Sequence, residues 1–314
     1  MPTTNSPLRY PGGKTKFYPY VRKLISDNNL LGKTYMEPFA GGAGLALKLL
    51  FNDDVERIVI NDLDPAIYSF WYSVLNQAEN FCKLIANVAL TPDEWKRQHE
   101  IYMRQDTTCP LELGFATFFL NRTNVSGVVK GGIIGGKDQS GEYKLDARFN
   151  RNNLTKKVLK IFERRQQIVL LNQDAKLLLQ PSELRRFYKV FINLDPPYVK
   201  KGAQLYQNAF CEADHKELYK LVSSCKRKWI VTYDVCPLVD ELYSSYRSSY
   251  LDVTYTVQSS KKAKEYIFFS DNLVLPDDII LREKENQVKR DTEVGNEYVN
   301  ESVTTEAGGT AIEN

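Results

Sequence analysis

The chain has 314 residues, of which 43% are hydrophobic and 26% charged, so it can bury the core of one large domain or two smaller ones. Its five cysteines form no Cys-x-x-Cys pair and its histidines number only two, which argues against a disulfide framework or a metal site. No apolar leader opens the chain and no apolar run could span a membrane, so we expect a soluble, cytoplasmic protein without a membrane partner.

The net charge of +3 is unevenly distributed along the chain. The last 24 residues contain six acids and neither lysine nor arginine, so residues 1–290 carry a net charge of +9. A basic body of this kind fits a polyanionic partner, although charge by itself identifies none. From about residue 283 onward the chain is polar and charged, which predicts a disordered acidic tail over residues 283–314.

The first candidate site is the segment Leu-Arg-Tyr-Pro-Gly-Gly-Lys at residues 8–14. A P-loop would require glycine at the position of Leu8 and a preceding strand, and the sequence provides neither. A Pro-Gly-Gly turn before a lysine and a helix over residues 16–26 favours an anion-binding turn at a helix N-terminus, suited to a carboxylate or a phosphate. A plain surface turn would account for the same residues equally well.

Residues 34–50 predict a strand, a glycine-rich turn and a helix, and residues 57–61 predict a second strand. The glycine spacing is not that of a dinucleotide-binding turn. Asp62 lies 21 residues after Gly41, and an acid at that distance can bind both ribose hydroxyls of an adenosine-containing cofactor. Asp64 is predicted to cap the helix that follows.

Residues 66–120 predict helices, which give way to a glycine-rich loop at residues 121–137. The end of this loop departs from a P-loop because Asp138 stands where serine or threonine is required. Long loops inside compact domains are usually functional, and basic residues mark this one as a DNA-facing insertion. These basic residues are Arg122, Lys130, Lys137, Lys144, Arg148, Arg151, Lys156 and Lys157.

The apolar run at residues 190–194 predicts a buried strand that must end at Asp195-Pro196-Pro197-Tyr198, because neither proline can donate to a sheet. Ligands of open α/β sheets bind beyond such strand ends. Asp195 and the carbonyl of Pro196 can each accept one hydrogen of a nucleobase amine, which frees its lone pair for attack, while Tyr198 stacks on the base. An ordinary Asp-Pro-Pro turn is the alternative for these four residues alone.

The rest of the chain predicts further elements of a sheet with helices. Strands are predicted at residues 167–171 and 229–233, helices at 177–187 and 214–225, and a terminal antiparallel pair at 253–257 and 265–270.

Four segments in this order, at residues 8–14, 35–44, 61–65 and 195–198, resemble the Dam-like, α-class DNA adenine-N6 methyltransferases. The stretches at residues 121–127 and 143–150 look like the target-recognition hairpin region of that family, and the resemblance extends over roughly residues 6–272. It implies an α/β fold with a Rossmann-like S-adenosylmethionine-dependent methyltransferase sheet, mixed and of about seven strands, and a helical and loop target-recognition insertion.

The resemblance also implies a division of the chain. Residues 1–90 and 160–282 would form the catalytic domain, and residues 91–159 the target-recognition insertion that binds DNA.

S-adenosylmethionine is the cofactor that the resemblance implies, with Lys14 near its carboxylate, residues 39–44 around its methionine part and Asp62 at its ribose. The cofactor-binding residues that match the family motifs are Tyr10, Lys14, Glu37, Phe39, Gly41, Gly42, Gly44, Asp62 and Asp195. The catalytic residues are Asp195, Pro196, Pro197 and Tyr198, and the DNA-binding residues are Arg122, Ser126, Lys130 and Lys137.

Two departures from the family pattern limit what the resemblance implies. Tyr10 stands where tryptophan is common in Dam, which is a mild change. Ser126, Val128 and Lys130 occupy places where Dam shows other residues, so its GATC specificity is not carried over.

The sequence therefore predicts an enzyme that flips an adenine out of double-stranded DNA and methylates its N6 amine. Cytosine-N4 methylation is an alternative, disfavoured because position 195 is aspartate and not serine. A catalytically silent DNA-binding regulator is an alternative of another class. We expect a monomer, and a separately encoded restriction endonuclease would make the protein half of a restriction-modification system.

Overall fold

The structure is a computed structural model that describes residues 4–9, 13–200, 210–256 and 260–282. Its described residues form one seven-stranded sheet in the order β3-β2-β1-β4-β5-β7-β6. Strands β1 to β5 run parallel to one another, and β7 is antiparallel to both β5 and β6. The strands are β1 Thr34–Glu37, β2 Arg57–Asn61, β3 Ile168–Leu171, β4 Val190–Leu194, β5 Lys228–Asp234, β6 Arg247–Thr256 and β7 Ser260–Phe269.

This architecture confirms the expected α/β fold with a mixed sheet of about seven strands. The terminal antiparallel pair is also confirmed, although both of its strands begin earlier than predicted. The described helices are α1 Tyr18–Asp27, α2 Gly44–Phe51, α3 Pro65–Asn76, α4 Ala78–Asn87, α5 Pro92–Arg104, α6 Pro110–Thr123, α7 Arg151–Glu163, α8 Ala175–Leu178, α9 Pro181–Leu184, α10 Glu212–Ser224 and α11 Pro237–Leu242.

Both faces of the sheet are buried, as the apolar parallel strands require. Side chains alternate between the faces with the two-residue period of a strand. Tyr35 and Phe191 belong to one hydrophobic cluster, whereas Met36 and Ile192, the next residues along the same strands, belong to the other. The hydrophobic effect on both sides therefore fixes the register of the central strands.

The predicted helix over residues 177–187 is wrong. The chain forms two short helices there, α8 and α9, because Pro181 has no N–H to continue a helix and instead begins α9. The helix predicted at residues 16–26 begins as a short 3₁₀ turn at Lys14–Phe17 and continues as α1.

Helices α3 and α6 pack closely through a glycine. A Cβ on Gly114 would lie 2.4 Å from the carbonyl oxygen of Ser69, so only glycine permits this approach. Aromatic side chains fill the space around the contact, with Phe70 stacked on Phe118 and Phe81 edge-on to both. The boundaries predicted for the target-recognition insertion, which would include α6, remain a prediction.

The predicted acidic tail at residues 283–314 and the predicted cofactor ligand Tyr10 lie outside the described residues. No helix in the described ranges is both long and apolar enough to cross a membrane.

Candidate active site

Four acidic residues lie at the carboxyl ends of four neighbouring parallel strands. Glu37 ends β1, Asp62 follows β2, Asp195 follows β4 and Asp234 ends β5. Since parallel strands finish at the same edge of a sheet, these acids gather where ligands of α/β folds bind.

The carboxylate of Asp195 is held through one of its two oxygens. Its Oδ1 accepts hydrogen bonds from Thr232 Oγ1 at 2.8 Å and from the Tyr198 hydroxyl at 3.2 Å, and it lies 2.9 Å from the ammonium of Lys14. Its Oδ2 has no hydrogen-bond partner among the residues that the structure describes, and the side chain is 26% exposed. Asp195 therefore keeps one oxygen available at the sheet edge.

Lys14 is buried between two carboxylates. Its Nζ lies 2.9 Å from Asp195, 3.1 Å from Glu265 and 2.7 Å from the Tyr198 hydroxyl, to which it donates. Burial acts to lower the pKa of Lys14, but Asp195 and Glu265 together outweigh burial and raise it. An ammonium has three donors, and three acceptors among the described residues stand within reach of them. The contact predicted with the cofactor carboxylate would have to displace one of these partners.

The catalytic motif itself is largely enclosed. Pro196 and Pro197 are buried and Tyr198 is 4% exposed, so the ring face needed for stacking on a base is covered in this structure. Immediately after the motif, the backbone N–H groups of Val199 and Lys200 donate to the two carboxylate oxygens of Asp234, at 3.0 and 2.9 Å.

Glu37 is a buried acid with neutral partners. Its Oε1 accepts from the Tyr35 hydroxyl at 3.0 Å and from the backbone N–H of Ala46 at 3.2 Å. The Tyr35 hydroxyl in turn accepts from Asn193 Nδ2 at 2.8 Å. Burial raises the pKa of Glu37 to about 8, with a further contribution from the charge of Asp195. Such a carboxyl would ionise readily if a cation lay beside it.

Asp62 ties the glycine-rich turn to the end of β2. Its Oδ2 accepts from the backbone N–H of Gly41 at 2.8 Å, and its Oδ1 accepts from that of Asp64 at 3.0 Å. Burial, followed by the nearby charge of Asp64, raises the pKa of Asp62 to about 7. A carboxylate has about four acceptor positions, so two hydrogen bonds leave capacity for ligand hydroxyls.

The remaining predicted cofactor residues line the same turn. Gly41 has a φ of +46°, a conformation in which glycine avoids strain, and Gly42 is buried beside it. A Cβ on Gly44 would lie 2.5 Å from Thr15 Oγ1. The ring of Phe39 packs edge-on against Phe210, with centroids 5.8 Å apart.

The N-terminal segment and the predicted recognition loop are joined by hydrogen bonds. The Asn121 side chain accepts from the backbone N–H of Arg9 at 2.7 Å and donates to its carbonyl at 2.7 Å. Asn121 also donates to the carbonyl of Gly127 at 2.7 Å. The structure thus brings together residues of two predicted motifs, the segment at residues 8–14 and the loop at residues 121–137.

The four predicted DNA-binding residues differ in their surroundings. Arg122 donates to the carbonyls of Arg148 and Pro7, and burial, with the charges of Arg9 and Arg148, lowers its pKa to about 10. Its guanidinium is therefore engaged within the protein. Ser126 is half-buried with a φ of +59°, whereas Lys130 and Lys137 are exposed and available to a phosphate.

Three residues that contact the motif, the chain immediately after it or Lys14 were not predicted from the sequence. Thr232 and Asp234 stand two residues apart at the carboxyl end of a predicted strand, and that spacing places them on one face. This signal could have identified them as site residues. Glu265 lies opposite Asp234 on the antiparallel neighbour, a pairing that no local pattern reveals. Among the described residues, no group of three or more His, Cys, Asp or Glu is arranged to hold a metal ion.

Comparison with known proteins finds a family whose model matches most of this chain. The model of the family described as D12 class N6 adenine-specific DNA methyltransferase matches residues 10–258. Among curated proteins, the chain is 26% identical over 209 residues to the Type II methyltransferase M.MjaIII of Methanocaldococcus jannaschii, covering 61% of this chain and 68% of that protein.

Two solved structures show a weaker likeness. One is a Pyrococcus horikoshii protein assigned as an RNA methyltransferase, with 7% identity, a TM-score of 0.38 and 86% of each chain covered. The other is a Vibrio vulnificus protein assigned as the modification subunit of a type I restriction enzyme, with 10% identity and a TM-score of 0.30 over 91% of this chain and 53% of that one. Both TM-scores are below 0.5, and neither likeness bears on function.

Proposed function

This chain belongs to the family of D12 class N6 adenine-specific DNA methyltransferases, and we propose that it transfers the methyl group of S-adenosylmethionine to the N6 amine of an adenine flipped out of double-stranded DNA. The observation that carries the proposal is the hydrogen bonding of the two carboxylate oxygens of Asp195. Its Oδ1 is held by Thr232, Tyr198 and Lys14, and its Oδ2 has no hydrogen-bond partner among the described residues.

The adenine amine is a poor nucleophile because its lone pair is delocalised into the ring. Asp195 Oδ2 accepts one amine hydrogen and the Pro196 carbonyl accepts the other, which draws the nitrogen towards tetrahedral geometry and frees the lone pair. Positive charge then develops on the nitrogen, and a fixed carboxylate stabilises it. No strong base is needed, because the product ammonium is acidic and loses its proton readily.

The charges around Asp195 support this role. Lys14 alone beside Asp195 would cancel its negative charge, but Glu265 on the far side of Lys14 supplies a second carboxylate. Counted over these three described residues, the cluster of Lys14, Asp195 and Glu265 carries one net negative charge, near the position where we propose that positive charge appears during methyl transfer. Lys14 belongs to this cluster, and its contact with the cofactor carboxylate stays a prediction.

The residues at the other strand ends fit S-adenosylmethionine. This cofactor supplies an activated methyl group on a sulfonium when it is bound. The buried carboxyl of Glu37, whose pKa is raised to about 8, suits the ammonium of its methionine end. Asp62 has acceptor capacity left for the ribose hydroxyls, and Gly41 and Gly42 let the backbone approach a ligand closely.

DNA would be held by the exposed lysines of the recognition loop. Lys130 and Lys137 are exposed, and we propose that they contact phosphates, which fix register and orientation without reading sequence. Arg122 supports the loop from within through its carbonyl contacts. Flipping the adenine costs a few kcal/mol, which those contacts offset.

The test is to incubate the protein with double-stranded DNA and methyl-labelled S-adenosylmethionine and to identify the labelled nucleoside by mass spectrometry. Label on N6-methyldeoxyadenosine is expected. Label on N4-methyldeoxycytidine would support the cytosine alternative, and unlabelled DNA that is nevertheless bound would support a silent regulator. Either result would overturn the proposal.

A further inference from the structure

We infer that Thr232 and Asp234, two residues of β5, are positioning residues. They hold the two ends of the Asp195–Tyr198 segment in the geometry that methyl transfer requires. The inference rests on the proposed function and deepens it. Neither residue contacts the reacting atoms, and both act by holding the motif in position.

The middle of the segment has no backbone N–H group that could bind it to a neighbouring strand. Pro196 and Pro197 have no N–H groups, so the middle of the motif offers no backbone donor to the neighbouring strand. The two acceptors that the amine needs, Asp195 Oδ2 and the Pro196 carbonyl, lie at the start of this segment. Their placement therefore depends on contacts at its two ends.

Thr232 supports the first end. Its hydroxyl donates to Asp195 Oδ1 at 2.8 Å, and the residue is 2% exposed, so water has little access to the donor. The bond restricts rotation of the carboxylate, which keeps Oδ1 towards the protein and leaves Oδ2 for the amine. Lys14 contacts the same oxygen, but a lysine ammonium on a flexible stem fixes direction less firmly than a hydroxyl on a rigid strand.

Asp234 supports the second end. Its two oxygens accept from the consecutive N–H groups of Val199 and Lys200, at 3.0 and 2.9 Å, and the residue is only 9% exposed. Hydrogen bonds to a charged acceptor are among the stronger ones in proteins. Lys200 adds a bond from its Nζ to the carbonyl of Val235 at 2.8 Å. The chain leaving Tyr198 is thereby fastened to the end of β5.

The strand geometry explains why one strand serves both ends. Side chains two residues apart on a strand lie on the same face, and β5 is the parallel neighbour of β4, with Val231 opposite Leu194. Thr232 is therefore adjacent to the residue that follows β4, and Asp234 reaches the chain as it turns away. Because β5 is hydrogen-bonded on its other side to β7, its position is fixed by the sheet and not by a loop.

Loosening this support should lower the rate of the chemical step more than it lowers affinity, because misplacement of reacting groups by about 1 Å can cost about 10²-fold in rate. Four variants separate positioning from general stability. Thr232→Val removes the hydroxyl with little change of shape, and Thr232→Ser retains it. Asp234→Asn retains one acceptor oxygen, and Asp234→Ala retains none.

Single-turnover methyl transfer, the Kd of S-adenosylmethionine and the thermal midpoint are measured for each variant. Thr232→Val and Asp234→Ala are expected to lose about 10- to 100-fold in rate while the cofactor Kd stays within about threefold. Thr232→Ser should recover most of the rate, and Asp234→Asn should fall between the wild type and Asp234→Ala. If Asp234→Ala does not fold, Asp234→Asn and the two Thr232 variants decide the question.

Asp54→Asn is the matched control, since Asp54 is a buried carboxylate that binds Tyr18 and Arg22 away from the motif. The inference is overturned if Thr232→Val and Asp234→Asn keep the wild-type rate, or if they lose rate only in proportion to a loss of stability that Asp54→Asn shares. A wild-type protein that methylates no adenine would refute the proposed function instead, so the two failures are distinguishable.

Discussion

At the residue scale, the charge of the Lys14, Asp195 and Glu265 cluster sets how well it stabilises a cation. Glu265 lies 3.1 Å from Lys14 and is 1% exposed, so it acts as the counter-ion that keeps the cluster negative. Glu265→Gln would make the cluster neutral while preserving shape. Two charges about 8 Å apart at an effective dielectric constant of about 20 interact by about 2 kcal/mol, so we expect a loss of rate on the order of tenfold or more.

The measurement is single-turnover methyl transfer under saturating DNA and cofactor. Glu241→Gln, which changes an exposed glutamate on α11, is the control and should leave the rate unchanged. An unaltered rate for Glu265→Gln would show that the charge of Glu265 does not assist methyl transfer.

The buried carboxyl of Glu37 should make the free energy of unfolding depend on pH. Its pKa is about 8 in the folded protein and about 4.5 in its ordinary range, so the folded state binds the proton more tightly. The free energy of unfolding of the cofactor-free protein should therefore fall as the pH rises from about 4.5 to about 8. Asp62, with a pKa raised to about 7, acts in the same direction.

Glu37→Gln removes this contribution while its amide oxygen can still accept from Tyr35 and Ala46. Urea unfolding at pH 5 and pH 8 should show a smaller loss of stability for Glu37→Gln than for the wild type. Glu56→Gln, at an exposed position, should behave as the wild type. Parallel pH curves for the wild type and Glu37→Gln would show that Glu37 does not titrate in this way.

At the element scale, the contact between α3 and α6 depends on a missing side chain. Gly114→Ala would place a methyl group 2.4 Å from the Ser69 carbonyl, and backbone cannot yield as a flexible side chain would. We expect a destabilisation of about 1–3 kcal/mol from overpacking, measured by urea unfolding. Gly132→Ala is the control, because nothing lies within 4 Å of a Cβ at that position. Equal stabilities for the two variants would mean that the helices separate freely.

The elements also show what sequence patterns can and cannot determine. The strands that carry Asp62 and Asp195 were predictable from apolar runs that end at an acid or at prolines, which is local information. The break between α8 and α9 was missed because apolar spacing was weighed over Pro181. The contacts of Thr232 and Asp234 with the motif segment, and of Glu265 with Lys14, depend on the order of strands in the sheet, and a single strand does not encode its neighbours.

At the scale of the whole molecule, the positive charge outside the C-terminal 24 residues should govern DNA binding. Each phosphate contact that is lost reduces the slope of log affinity against log salt concentration by about 0.9. Lys130→Ala and Lys137→Ala should each lower the slope by that amount and weaken binding similarly on any duplex, as measured by fluorescence anisotropy. Lys220→Ala, an exposed lysine on α10, is the control. An unchanged slope for both loop variants would exclude them as phosphate contacts.

The most direct measurement for the whole account is the single-turnover rate of methyl transfer to adenine by Asp195→Ala, taken together with its affinity for S-adenosylmethionine. Removing this side chain removes the acceptor that Oδ2 offers to the amine, while Glu37, Asp62 and the glycine-rich turn remain. We predict that methyl transfer is abolished while cofactor binding weakens only moderately. A variant that transfers methyl groups at the wild-type rate would contradict it.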